Sequence, residues 1–257
     1  MAVLRNVSMT LVVAKVQTAR LLPLDLARTA ALLGMVLYHF TFDLQMFGLV
    51  PAGTAGSGWL YWLARVVAGS FLMFAGFSLW LAQGHGFRRR AFLMRWLRVA
   101  GAAALVTLVT LFALPDYYVF FGILHSIAVC SLIGLAFLRL PAPLTVLAAA
   151  AAVAAPSVLA GPGFDAAWLR FLGLHTQPTQ TVDFVPLLPW LGPFLAGLAL
   201  ARLAERAGLI AWAERWSATA PLALHRLGWP GRHTLAIYLL HQPVPFAALW
   251  VWVFWLH

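Results

Sequence analysis

Charged residues are scarce in this chain. Asp, Glu, Lys and Arg make up 9% of its 257 residues, where a soluble domain carries roughly 25%. A chain this poor in charge cannot clothe a water-facing surface, which excludes a soluble globular protein. Acidic residues are the scarcest: 7 Asp and Glu stand against 17 Lys and Arg, a formal net charge of +10. In a soluble protein that excess would point to nucleic acid. Here it fits the basic residues that flank membrane spans on the cytoplasmic side, and no nucleic-acid partner is expected. There is one cysteine, Cys130, inside an apolar run. It cannot close an internal disulfide and reads as a small buried residue. The sequence also lacks a Ser-centred nucleophile motif, a Walker loop, a dinucleotide fingerprint and the internal repeat that marks many transporters.

What the chain has is apolar length. It is 63% hydrophobic, with a mean hydropathy of +0.89. The fold class expected is all-α, a polytopic transmembrane helical bundle. A span takes about 20 apolar residues. About seven segments qualify: Leu22–Phe47, Trp59–Gln83, Phe92–Leu114, Tyr117–Leu138, Leu144–Ala160, Pro186–Leu203 and Thr234–Trp255. The fifth, built around "LAAAAAVAA", is the least apolar. Met1–Arg20 has an apolar patch, "LVVA", too short to span, and reads as a cytoplasmic lead-in. Leu209–Trp229 is too polar to span. Its Trp212, Arg215 and Trp216 suit a helix lying at the membrane interface.

The connections orient the bundle. Basic residues cluster before span one, in "FRRRAFLMRWLR" between spans two and three, at Arg139, and between spans six and seven. The alternate connections hold almost none. The positive-inside rule therefore predicts seven spans, with the N-terminus in the cytoplasm and the C-terminus outside.

Against this background "RTAALLGMVLYHFTFDL" stands out. Asp25, Arg28, Met35, His39 and Asp43 fall on roughly one helix face, and ionisable groups in a span face a bundle interior or an aqueous cavity. Arg28 and His39 are eleven residues apart, roughly 16 Å along the axis. Helix rise puts Arg65 about two turns into span two and His125 at about the depth of His39, and Asp183 lies just outside span six. An outer-half constellation is predicted from His39, Asp43, Arg65, His125 and Asp183. Span seven adds Tyr238 and His241, expected nearer the cytoplasmic side, with His241 as a hydrogen-bonded bundle residue. A neutral His can take a proton from a nucleophile or accept an acyl group. A carboxylate one turn away can orient it, and an Arg can stabilise an oxyanion. These are the parts of an acyl-transfer site and equally of a proton relay. Plain alternatives stand beside each: snorkelling for Arg28, a solvated helix end for Asp43, packing or ion pairing for His125 and Arg65. His39 and Asp43 alone make a weak metal pair, so no metal is expected.

Five stretches carry a resemblance: "LDLARTAALLGMVLYHFTFDL", "ARVVAGSFLMFAGFSLWLA", "FFGILHSIAV", "DFVPLLPWLGPFLAGLAL" and "GRHTLAIYLLHQPV". In this order, from Leu24 to Val244, they resemble the bacterial heparan-alpha-glucosaminide N-acetyltransferase-like family within the transmembrane acyltransferases. The resemblance implies one transmembrane acyltransferase-like domain over residues 21–257. It implies transfer of an acyl group, foremost acetyl, from cytoplasmic acetyl-CoA or another acyl-CoA to an amine or hydroxyl of a sugar or glycan on the far side. The membrane implied is the bacterial inner membrane, with membrane lipid around the chain. Related O-acyltransferases carry a basic residue, ten intervening residues and a catalytic His in the first helix, which Arg28 and His39 match. His39 is thereby implied as catalytic and Arg28 as lying on the acyl-CoA path. Arg88, Arg89, Arg90 and Arg95 are candidates for its phosphates, although positive-inside bias alone would also place them there. His39 would act with Asp43, His125 and Arg65, and Asp183 would meet the acceptor. One departure is visible: the eukaryotic lysosomal member has a functional His in its first luminal loop, and Gln45–Gly58 has none. A proton-coupled transporter, and a non-catalytic subunit of a larger membrane complex, remain open as other readings, as does a homo-oligomer.

Overall fold

The computed structural model describes residues 21–256. Met1–Arg20, with the expected lead-in, lies outside the described residues. Among those described, every regular element is helical and there is no strand. The helices are α1 (Leu22–Met46), α2 (Gly58–Gln83), α3 (Arg89–Ala113), α4 (Ile123–Phe137), α5 (Ala142–Leu159), α6 (Leu187–Arg206), α7 (Leu209–Thr219), α8 (Leu222–Leu227), α9 (Trp229–Arg232), α10 (Thr234–Leu240) and α11 (Pro243–Val251). Five helical stretches are long and apolar enough to cross a membrane: α2, α3, α5, α6 and Thr234–Trp255, which joins α10 to α11. α1 has the length, 25 residues, but its ionisable residues keep it out of that set.

Helix ends follow local chemistry. α1 carries Pro23 in its first turn, where a missing N–H costs nothing. It stops at Gly48, whose φ of 70° breaks the helical path at little steric cost. α4 is shorter than the span expected over Tyr117–Leu138. Pro115–Tyr117 forms a 3₁₀ turn, and the chain beyond it is held extended. Thr110 Oγ1 accepts from Val119 N (3.0 Å), and Thr107 Oγ1 donates to Val119 O (2.6 Å). Val182 N and Val185 N donate to Tyr117 O and Phe121 O. Those partners satisfy backbone groups that a helix would otherwise have to satisfy itself. The last span is likewise broken, with His241 and Gln242 lying between α10 and α11. The segment expected at the interface is two short helices, α7 and α8, rather than one. α7 keeps Leu209 and Trp212 exposed and stacks Trp212 on Trp216.

α2, α4 and α6 form the centre, around Leu72, Cys130, Phe194, Leu195 and Leu198, all fully buried. α2 and α6 run parallel in close contact. A Cβ on Gly76 would overlap the Phe194 carbonyl, and one on Gly197 the Met73 carbonyl. Small residues at this crossing let the two backbones meet, the usual source of attraction between helices in lipid. Arg202 is buried within α6. It donates to the carbonyls of Phe137, Leu138 and Leu140 and stacks over Trp80 at 4.3 Å, so the end of α4 has a fixed cation as its cap. α1 packs antiparallel to α2 and parallel to the run from α9 to α11, as its contacts with Ser78, Gly231, His241 and Phe246 show.

Candidate functional site

α1 is anchored at its N-terminal end. Ser217 Oγ accepts from Leu22 N (2.9 Å), and Thr29 Oγ1 accepts from Gly231 N (3.0 Å). Arg28 donates to Asp25 Oδ1 (3.4 Å) and to Ser78 Oγ of α2 (2.5 Å). Gly231 lets α9 lie directly on the Asp25 carbonyl, where any Cβ would overlap it. Arg28 is thus a fixed cation joined to two helices.

Eleven residues on, the character of α1 changes. His39 Nδ1 is buried with no hydrogen-bond partner. Its ring meets His241 edge-on, with centroids 4.7 Å apart and planes at 75°, and Tyr38 at 5.3 Å. His241 therefore lies at the level of His39, not nearer the opposite end as helix counting from Thr234 implied. The reason is that α9 already runs beside α1 at Asp25, so the climb along α1 begins at Trp229. His241 Nδ1 meets the Tyr238 carbonyl. A carbonyl only accepts, which assigns the proton to Nδ1 and leaves a lone pair on Nε2. Nε2 is buried without a partner.

Asp43 corrects another expectation. It is fully buried, but it does not orient His39. Its Oδ1 accepts from Gln242 Nε2 (3.5 Å), and its Oδ2 has no partner. Helical spacing put the two side chains on one face; the break after α10 supplied a different partner.

Two cavities meet at this level. The first, of 390 Å³, is lined by Tyr38, His39, Arg65, Asp183, Trp190 and Tyr238 among apolar neighbours. The second, of 370 Å³, runs between α3 and the α10–α11 break, and His241 and Gln242 lie on its wall. His39, Val182, Asp183 and Tyr238 line both. Both volumes fall within the usual range for ligand sites, roughly 300–1,000 Å³. Asp183 comes from the loop ahead of α6. Its Oδ2 accepts from Ile123 N at 3.3 Å, and burial pushes its carboxyl up to about 6, because a charged carboxylate is poorly solvated there. Arg65 lies over the Tyr61 ring, 3.4 Å from its centroid, and donates to the Tyr61 carbonyl (3.4 Å).

The structure thus brings His39, Arg65 and Asp183 to one cavity and leaves Asp43 and His125 off both. His125 Nδ1 accepts from Gly122 N (3.2 Å), so Nε2 carries the proton and donates to Thr107 Oγ1 (3.1 Å). Both ring nitrogens are spent on the start of α4. Among the arginines expected to meet acyl-CoA, Arg88 donates to the Ala82 carbonyl at the end of α2 (3.3 and 2.8 Å). The side chains of Arg89, Arg90 and Arg95 have no hydrogen bond or ion pair among the described residues. No group of three metal-ligating side chains forms among the described residues.

A half-buried His with a buried, unpartnered nitrogen, a second His in ring contact and a polar cavity beside them can accept and pass a proton. A model of the catalytic domain of heparan-alpha-glucosaminide N-acetyltransferase matches residues 20–243. The chain belongs to this family. It is a family of membrane N-acetyltransferases, and its members use acetyl-CoA. No curated protein and no solved structure matches the chain. The matched residues take in Arg28, His39, Arg65, Asp183, Tyr238, His241 and Gln242. Of these, Tyr238, His241 and Gln242 were the ones that sequence reasoning left outside the site. For His241 and Gln242 the signal was the "HQP" step, where a proline two residues after the His ends one helix and starts another.

Proposed function

We propose that this heparan-alpha-glucosaminide N-acetyltransferase family member moves an acetyl group from cytoplasmic acetyl-CoA to an amine or hydroxyl of a sugar at the outer side of the bacterial inner membrane. Seven spans carry it, namely α1 to α6 and the α10–α11 stretch, with the N-terminus in the cytoplasm and residues 21–257 as one transferase domain. The basic end, with Arg88, Arg139, Arg202 and Arg226, is then the cytoplasmic end. The observation that carries this reading is the place of His39: it lines both cavities, one nitrogen is unspent, and it stands three turns along α1 from Arg28.

Arg28, Arg89, Arg90 and Arg95 hold the phosphates of acetyl-CoA, while Arg88 serves the end of α2. The thioester carbonyl lies beside His39. The acceptor sits in the polar cavity, where Asp183 and Arg65 orient its polar groups. His39 takes the acceptor proton as its nitrogen or oxygen attacks the acetyl carbon. Arg65 or the Tyr238 hydroxyl stabilises the oxyanion. The C–S bond breaks, and the proton passes from His39 to the departing thiolate. His241, not Asp43, is the group beside His39 that shares the proton, through the lone pair on Nε2. His125 serves the fold.

Conversion of His39 to Ala in proteoliposomes should lower acetyl transfer by two to four orders of magnitude, with the melting temperature unchanged. Full activity in that variant would remove His39 from the mechanism. Uptake of solute driven by a pH gradient without acetyl-CoA would favour a proton-coupled carrier instead.

A further inference from the structure

The second cavity asks for an occupant of its own. Its walls on α3 are Leu105, Val106, Val109 and Ala113, faced by Met46 and Leu239. Leu105, Val109 and Met46 are 51%, 54% and 45% exposed. On helices surrounded by lipid, those side chains face hydrocarbon. α10 touches α3 lower down, where Leu235 and Leu239 pack near Ala102 and Ala103. Beyond the break at His241 and Gln242 the chain turns toward α1, where Phe246 meets Phe47 at 5.1 Å. The gap between α3 and α11 opens at that turn. Thr110 lines it, but its hydroxyl is committed to Val106 O and Val119 N. The polar atoms still free, on His39 and His241, lie at the inner end.

A gap of this kind, bounded by exposed aliphatic side chains within the membrane, excludes water and takes hydrocarbon. One that ended blindly would hold only bulk lipid. This one ends at the imidazoles, where His39, Val182, Asp183 and Tyr238 form the wall it shares with the polar cavity. We infer that the acceptor is an amphiphile: its hydrocarbon chain lies in the α3–α11 gap and its sugar head in the polar cavity, with the reacting amine or hydroxyl between them at His39. The head group rests on the acetyl-transfer reading above; the seat of the chain does not. Membrane-borne acceptor would reach the site sideways through lipid, between α3 and α11.

The test uses the full chain in proteoliposomes with two acceptors that share a head, hexadecyl and methyl β-glucosaminide, and a photoreactive hexadecyl glucosaminide with a diazirine in its chain. The expected label falls on Leu105, Val109 and Met46 and is competed by hexadecyl but not methyl glucosaminide. The expected kcat/KM favours the hexadecyl acceptor at least tenfold, and Val109→Trp cuts that preference at least tenfold. Labelling that hexadecyl glucosaminide does not compete, or that a diazirine phosphatidylcholine reproduces, means bulk lipid only and overturns the inference. Transfer to both acceptors at equal kcat/KM without competed labelling overturns it and leaves the transferase reading standing. Competed labelling in a protein that acetylates neither acceptor supports the lipid seat and removes the transferase reading.

Discussion

The two ends of α1 are built from the same kinds of side chain and treated in opposite ways. Near Arg28, polar groups are spent on structure: Arg28 on Asp25 and Ser78, Thr29 on Leu227 and Gly231, and the backbone of Leu22 on Ser217. Near His39 they are left over. His39 Nδ1, Asp43 Oδ2 and His241 Nε2 are buried with no partner. Each such atom costs about 1–3 kcal/mol against a satisfied one, and a fold keeps that cost where a ligand later meets it. The anchored end holds α1 in register, and the unspent end works. Arg95 crosses the pattern: it lines a small cavity with Leu79 and Gln83 near the anchored end, without an anionic partner among the described residues, which suits a cation waiting for phosphate.

That contrast can be broken at graded points. The largest effect is at His39, as given above. His241→Gln comes next. It should lower transfer about ten- to a hundredfold and shift the pH–rate profile, because the shared proton loses its second site; an unchanged profile would return His241 to the fold. Arg28 and Arg95 separate anchoring from binding. Arg28→Ala should lose about 1–3 kcal/mol of stability and also raise KM for acetyl-CoA. Arg95→Ala should raise KM about fivefold or more, with stability unchanged or higher, as read by thermal melting beside steady-state kinetics. Asp43→Asn should keep transfer within about threefold of the original. A fall of several orders, the signature of a carboxylate that fixes a catalytic imidazole, would restore the orienting role that the structure takes away.

The smallest effect is a pH slope. Asp183 is raised to about 6 in the fold from an unfolded value near 3.9. The folded chain therefore binds more protons than the unfolded one between those values. Its stability is greatest below about pH 4 and falls as pH rises through 6, because burying the carboxylate charge becomes unfavourable. Asp183→Asn should flatten that slope in detergent-solubilised protein and raise the melting temperature at neutral pH.

Much of this was legible in the residues. Hydrophobic runs located α1, α2, α3, α5 and α6 within a few positions, because in lipid a helix must satisfy its own backbone and length alone marks it. The same logic failed at Tyr117–Gly122 and at His241–Gln242. There the backbone groups find partners or turns that depend on chain far away in sequence, Thr110 and Val182 in the first case. Among the candidate residues, helical spacing put Arg28 and His39 on one helix, and α1 carries both. It could not choose between neighbours contributed by separate elements. Asp43 shares a face with His39 yet pairs with Gln242. His125 has the right depth yet spends both nitrogens on Gly122 and Thr107. His241 was read as a hydrogen-bonded bundle residue, which its contact with the Tyr238 carbonyl bears out, but its level beside His39 depends on α9, a separate element.

His39 and His125 therefore form a natural control pair: two half-hidden imidazoles, one unspent and one spent. The most direct measurement is the rate of radiolabelled acetyl transfer from acetyl-CoA by His39→Ala and His125→Ala proteins, reconstituted side by side and corrected for folded protein. His39→Ala should lose at least a hundredfold in rate with its melting temperature intact. His125→Ala should lose about 1–3 kcal/mol of stability and keep its rate per folded molecule. A His39→Ala protein that transfers acetyl at the original rate, or a His125→Ala protein that folds fully and transfers none, would contradict the account.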